Sequence, residues 1–360
     1  MIPVTKPFLP PIEEYNTLIQ DIFDREWLTN NGPLVNDLEL QLKQRLQLDH
    51  LLYVGNGTIA LQIAIKALNL KGKVITTPFS YVATSSSLVW EGCEPVYVDI
   101  EPDGFNIDAS KIEAAITPEV TAIVATHCFG IPCDVQAIQV IADRHNLKVI
   151  YDAAHAFGTT VHGKSIFEFG DISTCSFHAT KLFHTVEGGM VVTKSPDLLR
   201  RISKMRNFGH DGPEHFDGVG INGKNSEFHA AMGIVNLRYI DDILERRRAQ
   251  CTLYSELLAN VDLTVPDVTN KTWNCAYFPV VFMTETQCLG VKAELEKAEI
   301  FARRYFYPSL NTINDWGAVE CAQSEGVAQR ILCLPLFHSL SFDEMKFIVR
   351  LLKRKLRYGS

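Results

Sequence analysis

No run of apolar residues in this 360-residue chain is long enough to cross a membrane, and the opening MIPVTKPFLPP lacks the apolar stretch of a secretion signal. No GxGxxG follows any of its β-type runs, which argues against an oxidoreductase that binds a dinucleotide. Basic residues are not in excess. With 34 Lys and Arg against 42 Asp and Glu, the net charge of −8 disfavours nucleic acid as a partner, so an anionic ligand has to be gripped by local donors. The nine cysteines show no paired spacing, and Cys93, Cys175 and Cys333 sit in apolar surroundings, as free thiols do in a reducing compartment. A cytoplasmic protein is therefore expected. His127, Cys128 and Cys133 lack the further ligands of a zinc site, so no metal is expected. Repeats and low-complexity segments are also missing.

What the chain does contain is core material, 46% hydrophobic with 21% charged residues, enough for a large unit and a smaller one. From Leu51 to Thr193, short β-rich runs alternate with helical stretches: 51–54, 73–76, 95–98, 122–126, 148–151, 173–177 and 190–193. These runs are continuously apolar instead of alternating. Strands of that kind are covered on both faces, which predicts an α/β fold with a mostly parallel sheet sandwiched by helices. A long helix over 241–258 leads into a second unit with a strand near 277–282 and helices near 291–298 and 342–356. The expected division is a large unit, 1–240, and a small C-terminal α+β unit, 241–360. Arg246, Arg247 and Arg248 point different ways on a helix and read as a solvated face.

The chemistry gathers where strands end. SFHATKLFHTVEGG, 176–189, places Lys181 just past an apolar run; an amine whose charged form is disfavoured there is a nucleophile near neutral pH. Upstream, KVIYDAAHAF ends its run on Asp152, with His155 three residues on. Earlier still, Gly55-Asn56-Gly57-Thr58 opens an apolar helix whose first amides can hold a phosphate. Taken singly, each has a bland reading: a surface lysine, a packed Tyr81, a His155 satisfied in the core. Together and in this order they supply an anion site, a partner for a ring nitrogen and a lysine for covalent attachment, which is what pyridoxal phosphate requires of its protein.

NGTIAL, DAAHAFG and SFHATK followed by EGG resemble the sugar aminotransferases of the DegT/DnrJ/EryC1/StrS family, and the resemblance runs from EWLTNNGP to CLPLFHSLS. It implies the fold-type I arrangement of aspartate aminotransferase. Lys181 would bond to pyridoxal 5′-phosphate and Asp152 would face its ring nitrogen. Gly57, Thr58, Tyr81, His155 and Ser176 would complete the cofactor site, joined by Asn222 from the partner subunit of a homodimer with shared active sites. The family motif GxNxRM keeps its asparagine here, with Lys224 and Asn225 in place of Arg-Met, and Val186 replaces the first glycine of GEGG. Thr29, Asn31, His178, Arg303 and Tyr305 are the implied substrate contacts. SFHATK and ARRYFYP further imply transfer of an amino group from L-glutamate to C4 of dTDP-4-keto-6-deoxyglucose. Amination at C3 of a 3-keto isomer, and a non-catalytic regulator on the same fold, are the alternatives. A 3-dehydratase of the family would carry histidine where Lys181 stands.

Overall fold

The computed structural model describes residues 1–269, 272–313, 316 and 319–358. Its centre is a seven-stranded sheet: β1 (Leu51–Val54), β2 (Gly72–Thr76), β3 (Cys93–Tyr97), β4 (Val120–Thr126), β5 (Lys148–Asp152), β6 (Ile172–Ser176) and β7 (Gly189–Val192). The spatial order is β1-β7-β6-β5-β4-β2-β3. Every pairing is parallel except those of β7, which runs antiparallel to both β1 and β6. An apolar run reads the same in either direction, so the reversal of β7 leaves no trace in its residues.

Side chains on successive residues of a strand point to opposite faces, and both faces of this sheet are buried. Leu51, Tyr53, Ile123, Ala125, Val149 and Tyr151 pack into one core. Leu52, Val54, Ala122, Val124 and Ile150 enter another, beneath α1 (Gly57–Ala67). This explains the continuous apolar runs. It also puts the carboxyl ends of β1 to β6 along one edge, where ligand sites of open α/β sheets form.

A third core, from Cys251 to Leu352, belongs to the C-terminal unit. Here β8 (Phe278–Val281) pairs antiparallel with β9 (Ile331–Leu334). The helix Ile240–Leu258 enters this core, and its arginines correct the expectation of a solvated face. Arg247 is buried and donates to the carbonyls of Ala276 and Leu336, and Arg246 donates to those of His338 and Leu340. A guanidinium offers five donors, enough to stay bonded while stitching a helix to distant loops. Ile2–Pro3 pairs in parallel with Ile300–Phe301, so the first residues lie against the C-terminal unit. All nine cysteines are free and buried. No described helix is long and apolar enough to cross a membrane.

Candidate active site

A cavity of about 570 Å³ opens at the carboxyl edge of the sheet. Nine of the residues picked out from the sequence line it: Gly57 and Thr58 after β1, Tyr81 after β2, Asp152 and His155 at the end of β5, Ser176, His178 and Lys181 after β6, and Tyr305 from the C-terminal unit.

The anion end is built by α1. Asn56 caps it, its side-chain oxygen accepting the Ile59 N–H at 2.8 Å, which leaves the first amides of the helix free for a ligand. Gly57 is required by crowding: a Cβ there would stand 2.8 Å from the Ser176 Cβ, so any other residue would push α1 away from β6. Ser176, on β6, then presents its hydroxyl beside those amides.

Asp152 is 6% exposed. Its Oδ2 accepts from the Thr84 hydroxyl at 2.6 Å and its Oδ1 from the Ala154 N–H at 3.1 Å. Burial pushes its pKa up; the Thr84 bond, the Ala154 bond and the Lys181 charge oppose the shift. Lys181 moves the other way: burial lowers its amine below the usual 10.5, against the pull of Asp152, Cys175 and Tyr81. The amine lies 6.0 Å from the centre of the Tyr277 ring. His155 accepts the Phe129 N–H on Nδ1 at 3.2 Å and stacks on Phe306 at 5.9 Å between ring centres. Burial, helped by the Lys181 charge, holds it well below its ordinary pKa, so it is neutral with its hydrogen on Nε2.

Nearer the mouth, His178 bonds through Nδ1 to the Thr180 hydroxyl at 2.8 Å, and its Nε2 faces Glu187 at 3.5 Å. Tyr81 is 59% exposed.

Four expected contacts are not brought into this cavity. Thr29 and Asn31 lie in a loop held by its own bonds: Trp27 donates to the Thr29 carbonyl, and Asn36 to that of Asn31. Arg303 is tied by its backbone to Cys333 on β9 and its side chain stays exposed, while neighbouring Arg304 is taken up by Glu285. Asn222 accepts from Lys224 at 3.1 Å on an exposed loop. His127, Cys128 and Cys133 are committed to local bonds, the His127 Nδ1 accepting the Cys133 N–H at 3.0 Å and both thiols donating to carbonyls. Among the described residues no cluster of three or more metal-ligating side chains occurs. The sequence reading missed Thr84, Tyr277 and Phe306.

A model described as the DegT/DnrJ/EryC1/StrS aminotransferase family matches residues 11–353. The chain belongs to this family. A dTDP-4-amino-4,6-dideoxy-D-glucose transaminase of Shigella dysenteriae is 41% identical, the match covering 96% of each chain. One from Escherichia coli is 38% identical over 99% of each. A crystal structure of DesI in the presence of its TDP-sugar product superposes with a TM-score of 0.94 at 32% identity, over 99% of this chain and 93% of that one. Like other members, the chain is an aminotransferase with an α/β fold. Its departure from the family's GEGG has a geometric side: Val186, in place of the first glycine, has φ of +66°.

Proposed function

We propose that the protein uses pyridoxal 5′-phosphate to transfer an amino group from L-glutamate to C4 of dTDP-4-keto-6-deoxyglucose. The observation that carries this reading is the convergence of Lys181, Asp152 and the Gly57–Thr58 amides in one cavity. The residues fit the cofactor chemically. Free helix amides and the Ser176 hydroxyl match a phosphate, and the glycine cradle beside Ser176 is a space that a Cβ would fill. When bound, the cofactor supplies an electron sink for a carbanion next to nitrogen.

The chain's own groups would do the rest. Lys181, with its charged form disfavoured, would hold the cofactor and, when free as a neutral amine, would take the proton from the donor's α-carbon in the first half of the reaction and deliver one to the sugar carbon that receives the amine in the second. Asp152 would face the ring nitrogen and favour its protonated form. His155 offers its Nε2 hydrogen to the cavity, and the aromatic wall of Tyr277 and Phe306 excludes water. Tyr81 would cover the ring face, and His178 with Tyr305 would orient the hexose.

Residues 1–240 would carry the cofactor, and 241–360 would close over the substrate. A homodimer would complete the site, since Asn222 lies outside its own cavity on a loop that exposes Phe216 and Val219. The nine buried free thiols suit a cytoplasmic setting.

The preference for C4 rests on the two transaminases, and DesI with its TDP-sugar product supports a TDP-linked acceptor. Product identity tests it. Given dTDP-4-keto-6-deoxyglucose, L-glutamate and pyridoxal phosphate, the proton spectrum of the product should show the amine on C4. No turnover of this acceptor beside efficient amination of a 3-keto isomer would overturn the assignment.

A further inference from the structure

Asp152 is joined to a row of hydroxyls that take no part in the steps above. Thr84, from the helix Val82–Trp90, reaches Oδ2 of the carboxylate. Ser80 Oγ lies 2.7 Å from Thr84 Oγ1, and Thr126 Oγ1, at the end of β4, lies 3.1 Å from Ser80 Oγ. All three are buried, Thr84 completely. They come from two stretches of chain, 80–84 and the end of β4, brought together beside Asp152.

A hydroxyl has one hydrogen to give. When Asp152 is ionised, the Thr84 hydrogen goes to the carboxylate. The Ser80 hydrogen is then the one between Ser80 and Thr84, and the Thr126 hydrogen is the one between Thr126 and Ser80. Every O–H dipole in the row consequently points toward Asp152, and in a dry interior such aligned bonds strengthen one another. Packing alone would be served as well by valine at 84 and alanine at 80, without burying hydroxyls.

We infer that Thr84, backed by Ser80 and Thr126, is a positioning residue that keeps Asp152 ionised and aimed at the cofactor's ring nitrogen. The aim at a ring nitrogen rests on the proposed use of pyridoxal phosphate; the ionisation does not. Among the influences that counter burial at Asp152, the Thr84 bond is the largest, ahead of the Ala154 N–H and the Lys181 charge. The other groups facing this carboxylate are neutral. Burial raises the Cys128 and Cys175 thiols, keeps the His155 ring uncharged, and pulls His127, whose N–H bonds the Asp152 carbonyl, down to about 3.

The test is titration of the Asp152 carboxyl in the full chain without cofactor, by infrared difference spectroscopy on aspartate-labelled protein. The band that vanishes in Asp152→Asn identifies the group. Thr84→Val should raise its midpoint by about 1–2 pH units, the worth of a hydrogen bond to a charged group. Ser80→Ala should raise it by less, and Thr84→Ser should restore it. With pyridoxal phosphate added, Thr84→Val should weaken binding by about tenfold while Thr84→Ser binds as the parent does. An unmoved midpoint in folded Thr84→Val would overturn the inference, even if that variant melted earlier, because a purely structural role predicts that pattern. Should Thr84→Val not fold, an unmoved midpoint in Ser80→Ala would overturn it equally. A parent protein that does not bind pyridoxal phosphate would defeat the proposed function and leave the midpoint shift standing.

Discussion

The floor and the rim of the cavity are built on different principles. At the floor, Asp152 and Thr84 are buried on a strand end and a helix, and both oxygens of the carboxylate accept a hydrogen bond. At the rim, His178 and Glu187 are exposed side chains on connecting segments that face each other at 3.5 Å. Chemistry common to many substrates needs fixed geometry and a dry setting, whereas choice of substrate needs only a surface that can vary. The floor should therefore answer substitution with losses of rate, and the rim with changes of specificity.

The sharpest way to break this contrast is at Lys181. Lys181→Ala should lower transamination by at least about 10⁴-fold with the far-ultraviolet spectrum unchanged, since the loss removes both the nucleophile and the proton carrier. Retained turnover would end the assignment. Asp152→Asn comes next: a neutral amide cannot hold the ring nitrogen's proton, and turnover should fall by about 10²–10³-fold. Parent-like turnover in that variant would mean that no pyridinium partner is needed there. At the rim, His178→Ala should leave cofactor affinity as it was and reduce kcat/KM for the sugar by about tenfold, the worth of one or two hydrogen bonds. A rim variant that lost cofactor, or a floor variant that altered only specificity, would erase the distinction between the regions.

The floor was also the more legible region. Asp152, Ser176 and Gly57 were found because continuous apolar runs mark buried strands, and the first polar or small residue past such a run must lie at the sheet's edge. Thr84 was not found, because a threonine in VATSSS looks like any hydroxyl on a helix; its role depends on Asp152, 68 residues away. Arg247 misled for the same reason, its carbonyl partners lying 29 and 89 residues distant. Rim contacts such as Thr29 and Arg303 were inferred from family motifs, and their side chains do not reach the cavity of their own chain. Nothing local in a sequence encodes where a connecting segment turns its side chains.

The lowered pKa of Lys181 offers a milder test. A neutral amine is the attacking form, so covalent capture of pyridoxal phosphate by the cofactor-free protein should speed up about tenfold per pH unit while the amine is mostly charged. Because burial holds the amine below 10.5, the rate should level off before that pH. A stopped-flow rate still climbing through 10.5 would show an amine that feels no burial, and Lys181 would then belong with the rim.

The smallest effect is expected at Val186, where the rim departs from the family's glycine. Its φ of +66° puts a β-branched residue in the left-handed region, which costs about 1–2 kcal/mol for residues with a Cβ. Val186→Gly removes that strain. Against it stands the greater freedom of glycine in the unfolded chain, worth about 0.4–1 kcal/mol. The strain is the larger quantity and the side chain is 42% exposed, so little packing is lost. Val186→Gly should therefore stabilise the protein by about 0.5–1 kcal/mol, read as a higher urea midpoint with an unchanged slope. The neighbouring Gly189 should behave oppositely: a Cβ there would stand 2.7 Å from the Asn56 carbonyl carbon, so Gly189→Ala should destabilise and loosen the α1 cap. A Val186→Gly variant less stable than the parent would mean that the valine side chain contributes contacts outweighing its backbone strain, and the rim would then be as tightly determined as the floor.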